Sequence, residues 1–202
     1  MSEWILPEVK AEIEARKRHQ RQHEQEKQKD EFLNKELSPR YALVDAALWG
    51  NDMDDLLFSD AIYRSLFRGA MLQQHKTVAP YLADLHLNED FINKIKQNKN
   101  QIERRVTWLH SELGIDDLRK HLRRFLRMKT ESGMYIYFRF YDPYVANCVL
   151  PNLTQEQLND FFAPIDYMIT EDVRINERRV FYLSADNELR IKYEAIDHVD
   201  NK

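Results

Sequence analysis

The pattern of apolar and polar positions divides the chain into a charged lead and an apolar-periodic body. Trp4, Ile5, Val9 and Ile13 form a short apolar stripe at roughly helical spacing. Residues 16–31 then contain no apolar position. A helix there has nothing to bury, so it must be solvated or held by charge pairs such as Glu14 with Arg18. The lead is therefore expected to project as a helix, with its apolar start docking on a partner or on the protein's own body. After Ser38-Pro39-Arg40 the pattern changes. Residues 41–47 (YALVDAA) read as a buried strand. Residues 52–67 read as a helix, with Asp52, Asp54 and Asp55 early, where the helix dipole favours acids, and Leu56, Tyr63 and Phe67 at near-helical spacing. Residues 78–85 form a strand candidate weakened by Pro80. Residues 88–104 read as a polar helix with Phe91, Ile92, Ile95 and Ile102 inward, and 105–110 as a strand.

Residues 121–143, HLRRFLRMKTESGMYIYFRFYDP, hold the densest pattern. A basic amphipathic helix is predicted over 115–129, with Leu118, Leu122, Phe125 and Leu126 on one stripe. It runs through Ser132-Gly133 into a strand of alternating aromatics over 134–140. Two short helices are predicted over 143–150 and 155–162, the second capped by Thr154 with Gln157 three residues on. A strand over 167–170 and a hairpin over 178–183 and 189–194 close the body. The tail from His198 is polar. Alternation of strands and helices favours the α/β class, with α+β as the alternative. The expected architecture is a parallel or mixed sheet flanked by helices, with a projecting N-terminal helix and a small C-terminal β-hairpin lobe. The expected divisions are a charged extension over 1–37, a core over 38–165 and a small lobe over 166–202.

Composition narrows the classes. The chain has 202 residues, 43% of them hydrophobic, enough for one core with an appendage. Its net charge of −4 argues against a dedicated nucleic-acid binder, which carries a basic excess. The lone cysteine, Cys148, forbids an intrachain disulfide or a CxxC metal knuckle. In the apolar run VANCVL it is expected to be buried and inert. No secretory signal opens the sequence and no run approaches the ~18 apolar residues of a membrane span, so a cytoplasmic protein without membrane contact is expected. With only four glycines, the chain has neither GxGxxG nor GxxxxGK[ST] for phosphate binding.

Candidate chemistry is sparse. His19 and His23 lie four apart, as a helical metal pair would, yet no third ligand is near in sequence. Ser111, His121 and Asp142 permit a nucleophilic set, but no Gly-x-Ser-x-Gly elbow surrounds Ser111. Asp45, Asp84, Asp116 and Asp142 fall near predicted element ends, where carboxylates cap helices and close turns. Catalytic residues, a metal and cofactors are thus not expected. Arg119, Lys120, Arg123, Arg124 and Arg127 make the strongest basic patch, suited to a solvated face or to an acidic protein partner. Arg139 lies inside an aromatic strand and needs a charged partner or an exit to solvent. A small metal-dependent hydrolase or nuclease, or a nucleic-acid binder using residues 115–129, is the competing reading.

These residues resemble the bacterial type VI secretion adaptors, or effector chaperones (Tap or Tec), a family catalogued as a domain of unknown function. The resemblance is carried by Tyr41-Ala-Leu-Val-Asp45, Pro80-Tyr-Leu-Ala-Asp-Leu85, Trp108-Leu-His-Ser111, Leu118 with His121-Leu-Arg123, and Phe138-Arg-Phe-Tyr-Asp-Pro143. Leu150-Pro151, Gln157-Leu158 and Phe161-Phe162-Ala-Pro-Ile165 follow in order. It covers residues 41–165. It implies a non-enzymatic cytoplasmic protein that binds a toxic effector and helps load it onto the VgrG spike or its PAAR tip. It also implies that Ser111, His121, Arg123, Arg139, Tyr141 and Asp142 are signature positions. These are expected to form a structural knot, Arg139 pairing Asp142 or another acid, or to contact the partner. Trp4, Ile5, Arg119 and Arg124 are further candidate partner contacts. Position 163 is Ala where Gly is common among relatives, and residues 1–37 are longer and more charged than the family leads one to expect.

Overall fold

In the computed structural model, residues 37–49, 62–87, 106–129 and 133–196 are described, together with Glu14, Ala15, Lys17, Arg18 and Arg21. Strand β1 (Tyr41–Asp45) is buried at every position, as are all five residues of β3 (Pro80–Asp84). Such strands have both faces covered, which is why their sequences lack polar alternation. Pro80 sits at the first position of β3, the place in a sheet where a missing N–H is tolerated. On the other side of β1 lies β4 (Val106–His110), with Leu43 opposite both Leu82 and Thr107. The seven-stranded sheet has the order β2-β3-β1-β4-β7-β8-β9. Here β2 is Tyr63–Ser65, β7 Tyr167–Asp172, β8 Glu177–Leu183 and β9 Leu189–Ala195.

Every pairing among the described residues is antiparallel. The fold is α+β, and the expectation of a parallel or mixed sheet is corrected. Doubly buried antiparallel strands give the same continuous apolar runs as parallel ones, so the pattern could not tell direction. The C-terminal hairpin extends the main sheet, because β7 pairs with β4 through Trp108↔Ile169 and Leu109↔Met168.

Two predicted helices are also corrected. Tyr63–Ser65 is a strand that pairs with β3, Tyr63 opposite Ala83, so the near-helical spacing of Tyr63 and Phe67 was not helical; residues 52–61 lie outside the described residues. The basic helix is short. Helix α3 (Ile115–Leu122) is followed by a single 3₁₀ turn, Arg123–Phe125, and then by strand β5 (Arg127–Lys129). Strand β5 pairs with β6 (Tyr135–Tyr137) as a separate two-stranded ribbon. Gly133 sits in this connection at φ 85, a conformation open to glycine at no steric cost.

Helices α1 (Ala46–Trp49) and α2 (Gly69–His75) precede α3. Helix α4 (Pro143–Val149) starts where Asp142 accepts a hydrogen bond from the Tyr144 N–H at 2.9 Å, with Pro143 at the first helical position. Helix α5 (Gln155–Phe162) begins with both halves of the expected capping box. Pro143, Ala146 and Leu150 face inward, three and four residues apart, which places Cys148 on the outer face. Cys148 is exposed, contrary to expectation. Thr170 donates to Asn147 at 2.6 Å and ties α4 to the sheet.

Of the N-terminal extension, Glu14, Ala15, Lys17, Arg18 and Arg21 are helical and exposed, and Lys17 pairs with Glu14 at 3.4 Å. Trp4, Ile5, His19, His23, the predicted helix over 88–104 and the tail from His198 lie outside the described residues. No described helix is long and apolar enough to cross a membrane.

Candidate functional site

Three of the signature residues, Arg139, Tyr141 and Asp142, follow β6 and meet the end of β1 and the strand β4. Asp45 ends β1 and is only 1% exposed. Arg139 Nη2 donates to Asp45 Oδ2 at 2.5 Å and lies 3.8 Å from Asp142 Oδ2. The guanidinium thus takes Asp45 as its main partner, with Asp142 second. Asp142 caps α4, and its own N–H donates to the Arg139 carbonyl at 2.9 Å. Tyr141 is buried, its carbonyl receiving the Thr107 hydroxyl at 3.0 Å. Its own hydroxyl bonds that of Tyr137.

Burial raises the Asp45 pKa, and the hydrogen bond and charge of Arg139 only partly offset it. Burial also opposes the charge on Arg139, yet the bond and attraction of Asp45 outweigh that and raise its pKa. The two directions are compatible: Arg139 stays charged throughout, and the desolvated carboxylate is the strained partner. Burial pushes the Tyr137 phenol up to about 12 and raises that of Tyr141 as well.

The other signature residues are engaged elsewhere. Ser111 is fully buried, its Oγ accepting the Leu113 N–H at 3.2 Å in the turn that leads into α3. His121 Nε2 bonds the Phe161 carbonyl at 2.9 Å, and burial lowers its pKa. That bond suits a neutral imidazole with Nε2 protonated. Arg119 donates to the carbonyls of Ser65 at 2.6 Å and Phe67 at 3.3 Å, and Arg124 lies 3.5 Å from Asp160. Arg123 is half-buried, its buried Nε without a hydrogen-bond partner among the described residues.

Three features depend on the tertiary structure: two that no spacing suggests, and the exposure of part of the aromatic run 135–141, a candidate contact only if exposed. His110 Nδ1 meets Asp166 Oδ2 at 2.9 Å, and with Glu112 these residues place one ligand atom each within 4.8 Å of one another. A divalent cation could be held by such a set, although Glu112 and Asp166 are exposed. Asp166 is far from His110 in sequence, so no spacing could suggest it. Tyr63, Leu72 and Tyr81 line a cleft of about 260 Å³ rimmed by Arg64, Lys76 and Arg119. That is below the ~300–1,000 Å³ usual for small-ligand pockets. Finally, four consecutive residues, Met134 to Tyr137, are exposed on the β5–β6 ribbon.

Fold and geometry together define an α+β domain built on an antiparallel sheet, its Arg139–Asp45 pair spent on its own architecture and an apolar ribbon turned outward. The chain belongs to the family described as a domain of unknown function (DUF4123), whose model matches residues 40–160, more than half of the chain. No curated protein and no solved structure gives a significant match.

Proposed function

We propose that the protein is a cytoplasmic adaptor of type VI secretion, which binds a toxic effector and helps load it onto the VgrG spike or its PAAR tip. The observation that carries this reading is membership of the DUF4123 family over residues 40–160, the same stretch that resembles the effector chaperones. The geometry supports a binding role in preference to catalysis. The Ser111 hydroxyl takes the Leu113 N–H, the His121 ring takes the Phe161 carbonyl, and Asp142 caps a helix. An adaptor of this kind acts by mass action: it stabilises a cargo conformation that it binds and leaves no chemical product.

The test is co-expression with the protein-coding genes on either side of this one, taken as candidate effectors, followed by tagged purification and mass spectrometry. Retention of one such effector or of a spike protein, with effector solubility dependent on the adaptor, is the expected result. A chain that purifies alone while the effector remains soluble without it overturns the proposal.

A further inference from the structure

Single exposed apolar side chains are ordinary on protein surfaces, whereas a contiguous apolar patch marks an interaction site. On β6 and the residue before it, Met134, Tyr135, Ile136 and Tyr137 are 65%, 64%, 49% and 39% exposed. Among the described residues, strand β6 pairs only with β5, in a sheet of two strands. Such a ribbon is marginal alone and must be held at its base. Phe138 N–H donates to the Leu126 carbonyl at 3.0 Å, and the Phe67 ring meets Tyr137 edge-on at 6.0 Å.

Among the described residues, positive charge without a matching carboxylate lies beside this ribbon. Across the protein, Arg64, Arg124, Arg174 and Arg178 each meet an acidic side chain. Arg68, Arg123 and Arg127 form no ion pair among the described residues. Arg127 instead lies over the Tyr135 ring at 4.9 Å. Burial, then the like charges of Arg68 and Arg119, lower the pKa of Arg123. Phe67 joins the two features, since its carbonyl accepts from Arg119 and its ring touches Tyr137. Among the described residues, these guanidinium groups are a local surplus in a chain of net charge −4.

We propose that the β5–β6 ribbon, together with Arg68, Arg123 and Arg127, is a docking face for a protein segment that carries carboxylates beside apolar or aromatic side chains. Tyr, Met and Arg are the residues enriched at protein interfaces, and arginine forks match carboxylates. A nucleic acid fits less well. Ile136 and Met134 offer nothing to a phosphate, and a face of Tyr135 on which a base could stack is covered by Arg127. Only the source of the segment, the effector, rests on the adaptor reading; the chemistry of the face does not.

The experiment selects displayed random peptides on the full chain and measures the winners, synthesised, by fluorescence anisotropy. The expected winners combine Asp or Glu with aromatic or aliphatic residues. The double variant Arg68→Glu with Arg127→Glu, and separately Ile136→Ser, should bind them about tenfold more weakly or worse. Both should keep the melting temperature, since all three side chains are exposed. No selected peptides, winners without acidic residues, or equal affinity in the variants overturns the proposal. So does a labelled single-stranded DNA that outbinds the peptides and is lost in the arginine variant. If the effector co-purifies equally with wild type and variants, the docking face is wrong and the adaptor reading stands. If the peptides behave as expected but no effector is retained, the adaptor reading falls and the face stands.

Discussion

At the scale of single residues, the Arg139–Asp45 pair has the largest consequence. Asp45 is buried, so removing Arg139 leaves its carboxylate with the Ala47 N–H at 3.1 Å and no neutralising charge. Arg139→Ala should destabilise the fold by about 3 kcal/mol at neutral pH, the low end for breaking a buried pair, because Arg139 itself is 41% exposed. Without the guanidinium, the Asp45 pKa climbs further above its unfolded value. A group with a raised folded pKa favours folding in its protonated form, so the deficit should shrink as pH falls through the carboxylate range. Adding Asp45→Leu should recover part of the loss, and urea unfolding at two pH values measures both effects. His121 behaves in the opposite sense. Its folded pKa is lowered by burial, so the unfolded chain binds more protons in the window just below pH 6.5 and stability falls as pH drops through it. His121→Gln removes that titration. Relative to wild type, its melting temperature should decline less between pH 7.5 and 5.5, and an equal decline would refute this role.

At the scale of elements, local signals succeeded where the chain makes its own contacts. Helix α5 was legible to the residue, because Thr154 and Gln157 satisfy its first N–H groups reciprocally. Thr154→Ala should therefore cost about 1 kcal/mol, read as a drop in urea midpoint with unchanged slope. Helix α3 was overextended, because Phe125 and Leu126 continue its apolar stripe although the helix stops at Leu122. Their burial is satisfied instead by a turn that points Leu126 into the core and sends Arg127–Lys129 into the ribbon. Tyr63–Ser65 failed for a similar reason: three residues carry no period of their own, and pairing with β3 decides their state. The edge strand β9 alternates charge along its length, with Arg190, Lys192 and Glu194 on it. Such charges guard an open edge against pairing with another chain.

At the scale of the whole molecule, the sheet binds the C-terminal residues to the rest. Met168 and Phe181 are fully buried in the main core beside Leu43, Leu109 and Phe161. Deleting residues 167–196 would open the edge of β4 and strip these contacts. The fragment should be insoluble, or compact with strong dye binding and no cooperative melting. A fragment that unfolds cooperatively in denaturant would make residues 166–202 a separable lobe.

The sequence by itself determined that residues 41–45 and 80–84 are buried strands, where α4 and α5 begin, and membership of a family of unknown function, because these depend on neighbouring residues and ordered motifs. It also required that Arg139 find a charged partner or an exit to solvent. Only the tertiary structure decided that the partner is chiefly Asp45, since residues 45 and 139 meet through β1 and the turn after β6. It likewise decided the antiparallel direction of every described strand pair, the exposure of Cys148 on the outer face of α4, and the meeting of unpaired arginines with an apolar ribbon. Each depends on contacts between residues distant in the chain, which periodicity and spacing do not encode.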